Sequence, residues 1–342
     1  AIVGGGTAGL AIAYRLQRAG RKAVLYEASN RFGGRMFTRR NFTEEGLFCE
    51  LGGELVDTGH DELKSLCREL GVGIQRLTAE GETDEDIWDI GGALRRSRDF
   101  LDPKTGEGAF APLAAKIAAD QAALLDADEN WTARARALDS LSLGAYLDML
   151  RPLTKPWAID ALKFAYHAEF GISVERQSAL NLVDFIGVET DEDFALFGES
   201  DELFRIEGGS SSLPDALLKA IENKVELKKG RTLKRIATEG EDILLGFDEG
   251  ETVRAGVVAL ALPFTRLREV EGLDALGVSA EKLRCVRELG YGDNAKIMTA
   301  TTGRPWKTPT RRGFSFTGAL YSDRGFGIVW DASRGQVGEA AC

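Results

Sequence analysis

The chain has 342 residues, more than one compact domain usually holds, so two domains are expected. Its composition, 44% hydrophobic and 28% charged, is that of an ordinary globular protein, and no apolar run is long enough to cross a membrane. A net charge of −11 argues against nucleic acid as a partner, and four cysteines without C-x-x-C spacing, beside two histidines, disfavour a metal site or a Cys–His nucleophile pair.

A strand, a glycine turn, a helix and a second strand open the chain. Residues 1–3 are apolar, residues 10–19 have a helical pattern, and residues 22–26 form a second predicted strand that is followed by Glu27. The turn has the spacing G-x-G-x-x-G, formed by Gly4, Gly6 and Gly9, with Thr7 and Ala8 between the last two. Such a turn lets backbone approach a pyrophosphate at a helix N-terminus, and the acid binds ribose hydroxyls. The stretch predicts a dinucleotide site in which Glu27 disfavours NADP and leaves NAD and FAD open; the alternative is a glycine-rich turn without a ligand.

Two adjacent glycines occur twice more before residue 54. Gly33 and Gly34 precede Arg35 in a predicted loop, where backbone could approach a ligand and the arginine could pair with a phosphate; the alternative is a surface turn. Gly52 and Gly53 end a predicted hairpin of residues 36–40 and 47–51. Residues 60–70 follow as an amphipathic helix.

Residues 81–200 carry the excess negative charge of the chain. They contain 23 acidic and 11 basic residues, including acidic runs at residues 82–89 and 189–193. Helical patterns fall at residues 112–127, 140–150, 156–170 and 177–186. The block predicts a mostly helical insertion that attracts cations, and the alternative is a solvated acidic surface.

The last third of the chain returns to strands. A helix is predicted from Ser212 to about residue 222, and then a β-meander is predicted at residues 225–236, 242–247 and 252–261, with residues 257–262 as a buried strand. A further strand from residue 291 carries Lys296, which by pattern alone extends its amine to the edge of an apolar face. Residues 321–332 form a mixed aromatic strand.

The chain resembles the flavin-containing amine oxidase family, which includes monoamine, polyamine and L-amino-acid oxidases. The resemblance rests, in chain order, on the opening turn with Glu27, Gly33-Gly34-Arg35, Glu50-Leu51-Gly52-Gly53, residues 205–210, residues 259–263, and Asn294-Ala295-Lys296 before Arg304-Pro305-Trp306. It implies a mixed α/β fold, with a Rossmann-type FAD-binding domain formed by residues 1–80 and 201–290. Residues 81–200 and 291–342 would form a discontinuous, mostly helical and β substrate domain, and the family's C-terminal segment that caps the flavin is absent from this chain.

The resemblance also assigns roles to residues. Lys296 matches the lysine that holds a water near flavin N5 and is the catalytic candidate. The predicted FAD-binding residues are Gly4, Gly6, Thr7, Ala8, Gly9, Glu27, Ala28, Gly33, Gly34, Arg35, Gly52, Gly53, Glu54 and Val225. No metal is expected, and FAD is expected to be held non-covalently because the cysteine that some members join to it is absent.

The implied reaction converts a cationic amine to an imine while O2 is reduced to H2O2. Amino-acid oxidases of the family often place an arginine after the second glycine pair, and Glu54 stands there instead, which favours amines or polyamines. The alternatives are an L-amino-acid oxidase for a basic amino acid, with Arg95 or Arg96 binding its carboxylate, a desaturase-type flavoenzyme, an NAD-linked dehydrogenase, and a flavin-free relative that binds a protein. A homodimer and either a cytoplasmic or an exported soluble protein stay open.

Overall fold

The computed structural model describes residues 1–77, 86–97, 108–188, 195–309, 313 and 318–342. The strands are β1 (Ile2–Val3), β2 (Val24–Glu27), β3 (Thr38–Arg39), β4 (Cys49–Glu50), β5 (Leu55–Val56), β6 (Ile74–Arg76), β7 (Ile87–Ile90), β8 (Ala93–Arg96), β9 (Phe204–Ile206), β10 (Glu226–Lys229), β11 (Leu233–Glu239), β12 (Asp242–Phe247), β13 (Thr252–Ala255), β14 (Ala259–Leu260), β15 (Ala319–Ser322) and β16 (Gly327–Trp330). The helices are α1 (Thr7–Arg18), α2 (Asp61–Leu70), α3 (Ala111–Gln121), α4 (Ala133–Asp139), α5 (Leu143–Leu150), α6 (Pro156–Phe170), α7 (Leu180–Val183), α8 (Ser212–Ile221), α9 (Phe264–Leu267) and α10 (Ala280–Glu288).

A parallel sheet in the order β10-β2-β1-β14 carries the glycine turn. Ile2 of β1 pairs with Leu25 on one side and with Ala259 on the other, so strands more than 200 residues apart meet beside the turn. Apolar side chains of α1 and α8, such as Leu10 and Leu217, are buried in the same core cluster as this sheet. The predicted strand–turn–helix–strand opening is therefore present, with the turn at the carboxyl edge of a parallel sheet.

Residues 225–236 were predicted as one strand of a meander, and this was wrong. Gly230 adopts a φ of +66° and turns the chain between two strands. The first, β10, joins the parallel sheet, and only β11 pairs with β12 and β13 in an antiparallel sheet. The predicted buried strand 257–262 is reduced to the short edge strand β14, and Val257 before it is 81% exposed.

Another sheet, in the order β16-β15-β7-β8, has both parallel and antiparallel pairs and joins distant parts of the chain. β15 runs parallel to β7, and the rings of Tyr321 and Trp88 stack with their centroids 4.1 Å apart. The aromatic stretch 321–332 is thus a hairpin of two strands rather than the one predicted. The pairing of residues 87–96 with 319–330 agrees with a discontinuous second domain, whose boundaries stay a prediction.

The predicted helical block is formed by α3 to α7, and its boundaries differ in part from the prediction. The predicted helix 156–170 is α6 itself, whereas the one at 177–186 is only one turn long, as α7. α4 was not predicted, although Thr132 caps it by accepting a hydrogen bond from the N–H of Ala135. Residues 82–85 of the first acidic run and the whole of the second, residues 189–193, lie outside the described residues.

The strand predicted from residue 291 is not formed. Residues 291–298 have no regular structure, and Ile297 is largely exposed. Alternation in the sequence was the only basis for that prediction, and no described strand pairs with this segment. Lys296 is therefore fixed through its side chain rather than by a sheet.

Candidate cofactor and substrate site

The glycines of the opening turn serve two different purposes. Gly4 has a φ of +108°, and a Cβ atom on it would lie 2.4 Å from the carbonyl oxygen of Ala261. A Cβ atom on Gly9 would lie 1.9 Å from the carbonyl oxygen of Gly4. Gly6, at the N-cap of α1, differs, because the nearest atom to its Cβ position is Cα of Gly34 at 3.8 Å. Packing within the protein therefore requires glycine at positions 4 and 9. The open space at Gly6 instead suits a ligand beside the N-terminus of α1, near Thr7 and Ala8.

Glu27 is fixed next to this turn at the end of β2. Its Oε2 atom accepts a hydrogen bond from the N–H of Gly5 at 2.7 Å, and its Oε1 atom accepts one from the N–H of Ser29 at 2.8 Å. Ala28, the residue between Glu27 and Ser29, is exposed. Each carboxylate oxygen keeps a second lone pair, so the pre-set carboxylate can also accept hydrogen bonds from ribose hydroxyls.

The three glycine segments contact one another in series. The N–H of Gly33 donates to the carbonyl oxygen of Gly5 at 2.9 Å, and a Cβ atom on Gly34 would lie 3.0 Å from Cα of Gly6. The N–H of Gly53 donates to the carbonyl oxygen of Arg35 at 3.0 Å, while the Arg35 side chain is exposed. These contacts form a continuous strip of glycine-rich backbone from Glu27 to Gly53, called here the glycine strip. Backbone arranged in this way could hold an extended dinucleotide, with the carboxylate of Glu27 available to ribose hydroxyls.

The structure does not bring Val225 to this strip. Val225 is buried and precedes Glu226, which pairs with Val24 at the amino end of β2. Ligands of parallel sheets bind at the carboxyl ends of the strands, and there Lys229 pairs with Glu27. The N–H of Arg231 donates to the carbonyl oxygen of Glu27 at 2.9 Å, so the turn after β10 lies closer to Glu27 than Val225 does. This turn, at Gly230, interrupts residues 225–236, for which the sequence pattern predicts a single strand.

Lys296 lies at the other end of the strip. Its Nζ atom donates to Oε2 of Glu54 at 2.9 Å and to the carbonyl oxygens of Glu50 at 3.3 Å and Gly52 at 3.4 Å. The ammonium lies 5.0 Å from the ring centroid of Trp330, whose indole N–H donates to the same Glu54 oxygen at 3.4 Å. The predicted catalytic and cofactor residues Lys296, Gly52 and Glu54 are therefore brought together.

A cavity of about 790 Å³ opens beside Lys296 and Trp330. The charged side chains among its lining residues are the acids Glu54, Asp86, Glu169, Asp201 and Glu202 and the bases Arg76, Lys296 and Arg334. Aromatic and aliphatic side chains complete the wall, including Phe197, Tyr321 and Ile328. The excess of carboxylates favours a positively charged ligand.

Glu202 is the most strongly perturbed of these acids. Desolvation and the nearby charges of Glu169 and Asp57 raise its pKa to about 7, although Arg334 opposes the rise. Desolvation and Asp57 also raise the pKa of Glu169. Both side chains still contact solvent because they face the open cavity. The backbone of Glu202 has a φ of +47° and is held by its N–H, which donates to Oδ1 of Asp57 at 2.8 Å.

Sequence reasoning did not single out Glu169, Glu202 or Trp330. The negative charge of residues 81–200 indicated the character of the cavity, but single acids in irregular or helical segments carry no positional signal. Arg95 and Arg96, suggested as carboxylate partners, do not line the cavity; Arg95 stacks on Trp157 and Arg96 donates to the carbonyl oxygen of Gly313.

The parallel sheet, the glycine strip and the fixed acid define a dinucleotide-binding protein of mixed α/β fold. A family model for flavin containing amine oxidoreductases matches residues 7–338. The chain belongs to this family, whose members are FAD-dependent oxidoreductases. The predictions of the family and of FAD as its cofactor are thereby confirmed.

Individual relatives include amino-acid oxidases. Over 327 residues the chain is 26% identical to the flavin-dependent L-tryptophan oxidase RebO of Lentzea aerocolonigenes, and the matched region covers 86% of this chain and 64% of that protein. Over 323 residues it is 25% identical to an L-amino-acid oxidase of Gloydius blomhoffii, and the matched region covers 90% of this chain and 60% of that protein. The chain thus spans less than two thirds of the length of these curated relatives.

Solved structures of amine oxidases share the fold. A putrescine oxidase bound to putrescine superposes with a TM-score of 0.74 at 18% identity, and the cyclohexylamine oxidase from Brevibacterium oxydans IH-35A with a TM-score of 0.74 at 19% identity. Each match covers 99% of this chain and 73% of the other, which confirms the predicted fold class. Within the described part of the chain, no helix is long and apolar enough to cross a membrane, and no group of three or more His, Cys, Asp or Glu side chains could hold a metal ion.

Proposed function

We propose that the protein is an FAD-dependent oxidase that converts a cationic amine or polyamine to an imine, with O2 reduced to H2O2. The observation that carries the proposal is the carboxylate-rich cavity that meets the glycine strip at Lys296. When bound, FAD supplies the acceptor for the hydride that leaves the amine carbon. The strip from Glu27 to Gly53 would hold the cofactor, and the cavity would hold the amine.

The residues of the cavity would bind the amine and manage its proton. The carboxylates of Glu169 and Glu202 attract an ammonium group, and the raised pKa of Glu202 lets its carboxylate take a proton from that group near neutral pH. Trp330 and Tyr321 line the cavity, where aromatic rings attract cations and exclude water. Lys296 stays paired with Glu54 at the boundary between the strip and the cavity.

One observation supports a second candidate, an L-amino-acid oxidase acting on a basic amino acid. Arg76 and Arg334 line the cavity and could pair with a substrate carboxylate, although the arginines first considered do not lie there. A desaturase-type reaction on an apolar substrate fits less well, because the cavity is lined by charged side chains.

The test is the absorbance spectrum of the full-length protein, without oxygen, before and after an amine is added. Agmatine and L-arginine form a matched pair, since they differ only in the α-carboxylate, and putrescine, spermidine and tyramine extend the series. We expect a yellow protein that agmatine or a polyamine bleaches, with H2O2 formed when air is admitted. Bleaching by L-arginine alone would support the second candidate. A colourless protein without releasable FAD would support the flavin-free alternative.

A further inference from the structure

Glu54 lies between two cations at the end of the glycine strip. Its side chain is only 6% exposed, with Nζ of Lys296 at 2.9 Å from Oε2 and Nη2 of Arg205 at 3.8 Å from Oε1. The indole N–H of Trp330 donates to the same oxygen as Lys296. A buried carboxylate with this arrangement fixes the positions of the groups around it, because each would lose a partner if it moved.

Arg205 is the second cation beside Glu54, and it is buried. Its side chain is 2% exposed, and its Nη1 atom donates to the carbonyl oxygens of Ala332 at 3.0 Å and Arg334 at 2.9 Å. Its Nε and Nη2 atoms have no hydrogen-bond partner among the described residues. Burial lowers the pKa of Arg205, and the charge of Glu54 is the largest influence that opposes this. Glu54 therefore compensates a buried guanidinium as well as binding Lys296.

Lys296 depends on these side-chain contacts because its backbone lies in an irregular, exposed segment. Among the described residues, Glu54 is the carboxylate with which Lys296 forms an ion pair, and the other acceptors of its ammonium are backbone carbonyl oxygens. The ring of Trp330 covers the ammonium at 5.0 Å. Without Glu54, the long lysine side chain would keep only neutral partners.

We infer that Glu54 is a positioning residue, which holds the Lys296 ammonium and the Trp330 indole as one unit between the glycine strip and the cavity. An effect of Glu54 on catalysis rests on the proposed function, whereas its contacts with Lys296 and Trp330 do not. Glu54 occupies the position after the second glycine pair, so here this position would serve Lys296 rather than the substrate.

The test measures how fast an amine-reactive acetylating reagent modifies Lys296, followed by mass spectrometry as the loss of the tryptic peptide of residues 288–296, because trypsin does not cleave after an acetylated lysine. The variants are Glu54→Gln, which removes the charge, and Glu54→Asp, which keeps it on a shorter side chain. Glu44→Gln, at an exposed acid, is the matched control, and the exposed Lys282 is the internal reference. We expect Lys296 to be modified about five-fold faster in Glu54→Gln, because its ammonium loses a charge-assisted hydrogen bond. The rate should be intermediate in Glu54→Asp and equal to that of the wild type in Glu44→Gln.

A kinetic measurement separates positioning from substrate binding. In the holoenzyme, Glu54→Gln should lower kcat for the best amine about ten-fold or more while KM changes little, because a positioning residue acts on the reacting geometry. An unchanged Lys296 modification rate in both Glu54 variants would overturn the inference, even if amines are oxidised. Absence of amine oxidation with faster modification in Glu54→Gln would instead count against the proposed function alone. If Glu54→Gln does not fold, the Glu54→Asp rate decides.

Discussion

The carbonyl oxygen of Arg35 lies 1.9 Å from where a Cβ atom on Gly52 would be. At the adjacent Gly53, no atom lies within 4 Å of where its own Cβ atom would be. One glycine of the pair is thus required by the packing of the chain, and the other leaves space next to the strip where FAD is proposed to lie.

Alanine substitutions should separate these two roles. Gly52→Ala forces the Arg35 backbone to move, so we expect a loss of about 1–3 kcal/mol in the free energy of unfolding of the apoprotein. Gly53→Ala should unfold like wild type but bind FAD more weakly. Urea unfolding and fluorescence titration with FAD measure the two effects, and Gly59→Ala, also in open space, is the control. Equal stability of the two variants at positions 52 and 53 would contradict this division.

Glu202→Gln should remove a pH dependence of amine binding. The pKa of Glu202 is about 7, so its carboxyl gains charge between pH 6 and 8, and KM for a diamine should fall across this range in the wild type. The folded-state pKa lies above the ordinary value of 4.5, so the contribution of Glu202 to stability is full below pH 4.5 and is lost as the pH rises through 7. Both trends should be weaker in Glu202→Gln and intact in Glu44→Gln. A KM profile that is the same in all three proteins would be evidence against a role for Glu202.

Asp120→Asn should destabilise the helical block. Its buried carboxylate forms ion pairs with Lys116 and Arg134 and accepts a hydrogen bond from Tyr146 at 2.8 Å. We expect a loss of about 1–3 kcal/mol in the free energy of unfolding, measured with urea. The exposed pairs of Asp148 provide the control, since Asp148→Asn should cost less than about 1 kcal/mol.

The same comparison has a defined pH dependence. Burial alone would raise the pKa of Asp120, but the hydrogen bonds from Lys116, Tyr146 and Arg134 outweigh burial and lower it. A lowered pKa contributes stability above the ordinary aspartate value of about 3.9, and this is lost as the pH falls through the folded-state value. The stability difference between wild type and Asp120→Asn should therefore shrink in acid. A difference that stays constant down to pH 2 would disprove this assignment.

Trp88→Ala should weaken the sheet that contains β7 and β15. Trp88 is buried on β7 and stacks on Tyr321 of β15, so the substitution leaves a cavity between two segments that lie far apart in sequence. The expected loss is about 3–5 kcal/mol in the free energy of unfolding. Trp131→Ala, at a half-exposed tryptophan, should have a much smaller effect in the same urea experiment. Similar losses in both variants would show that the stack is not a determinant of stability.

Local patterns in the sequence predicted much of the fold. The helices α1, α2, α6 and α8 were found because their apolar spacing and terminal residues act over one or two turns. Strand partners were not found, because pairing depends on residues far away: β10 was merged with β11 although only β11 lies in the meander. The alternation around Lys296 predicted a strand that the described structure does not contain.

The site was predictable to the extent that motifs encode it. The glycine segments contact one another, and Gly4, Gly33 and Gly34 have positive φ angles, a backbone conformation that favours glycine and so leaves a trace in the sequence. The partners of Lys296 could not be read from the sequence, since Glu54 and Trp330 lie 276 residues apart. Glu54 was predicted as an FAD-binding residue and noted as a departure from the arginine of amino-acid oxidases, and its ion pair with Lys296 gives that departure a physical reason.

The separation of Glu54 and Trp330 also orders events during synthesis. At about 5–20 residues per second, the 276 residues between them take roughly 14–55 s to emerge from the ribosome. The parallel sheet beside the glycine turn needs nothing beyond β14, so it can assemble before the hairpin of β15 and β16 exists. Until that hairpin arrives, Arg205 lacks the carbonyl groups of Ala332 and Arg334. The nascent chain can thus form the parallel sheet before Tyr321, Trp330 and Arg334 of the cavity wall have been synthesised.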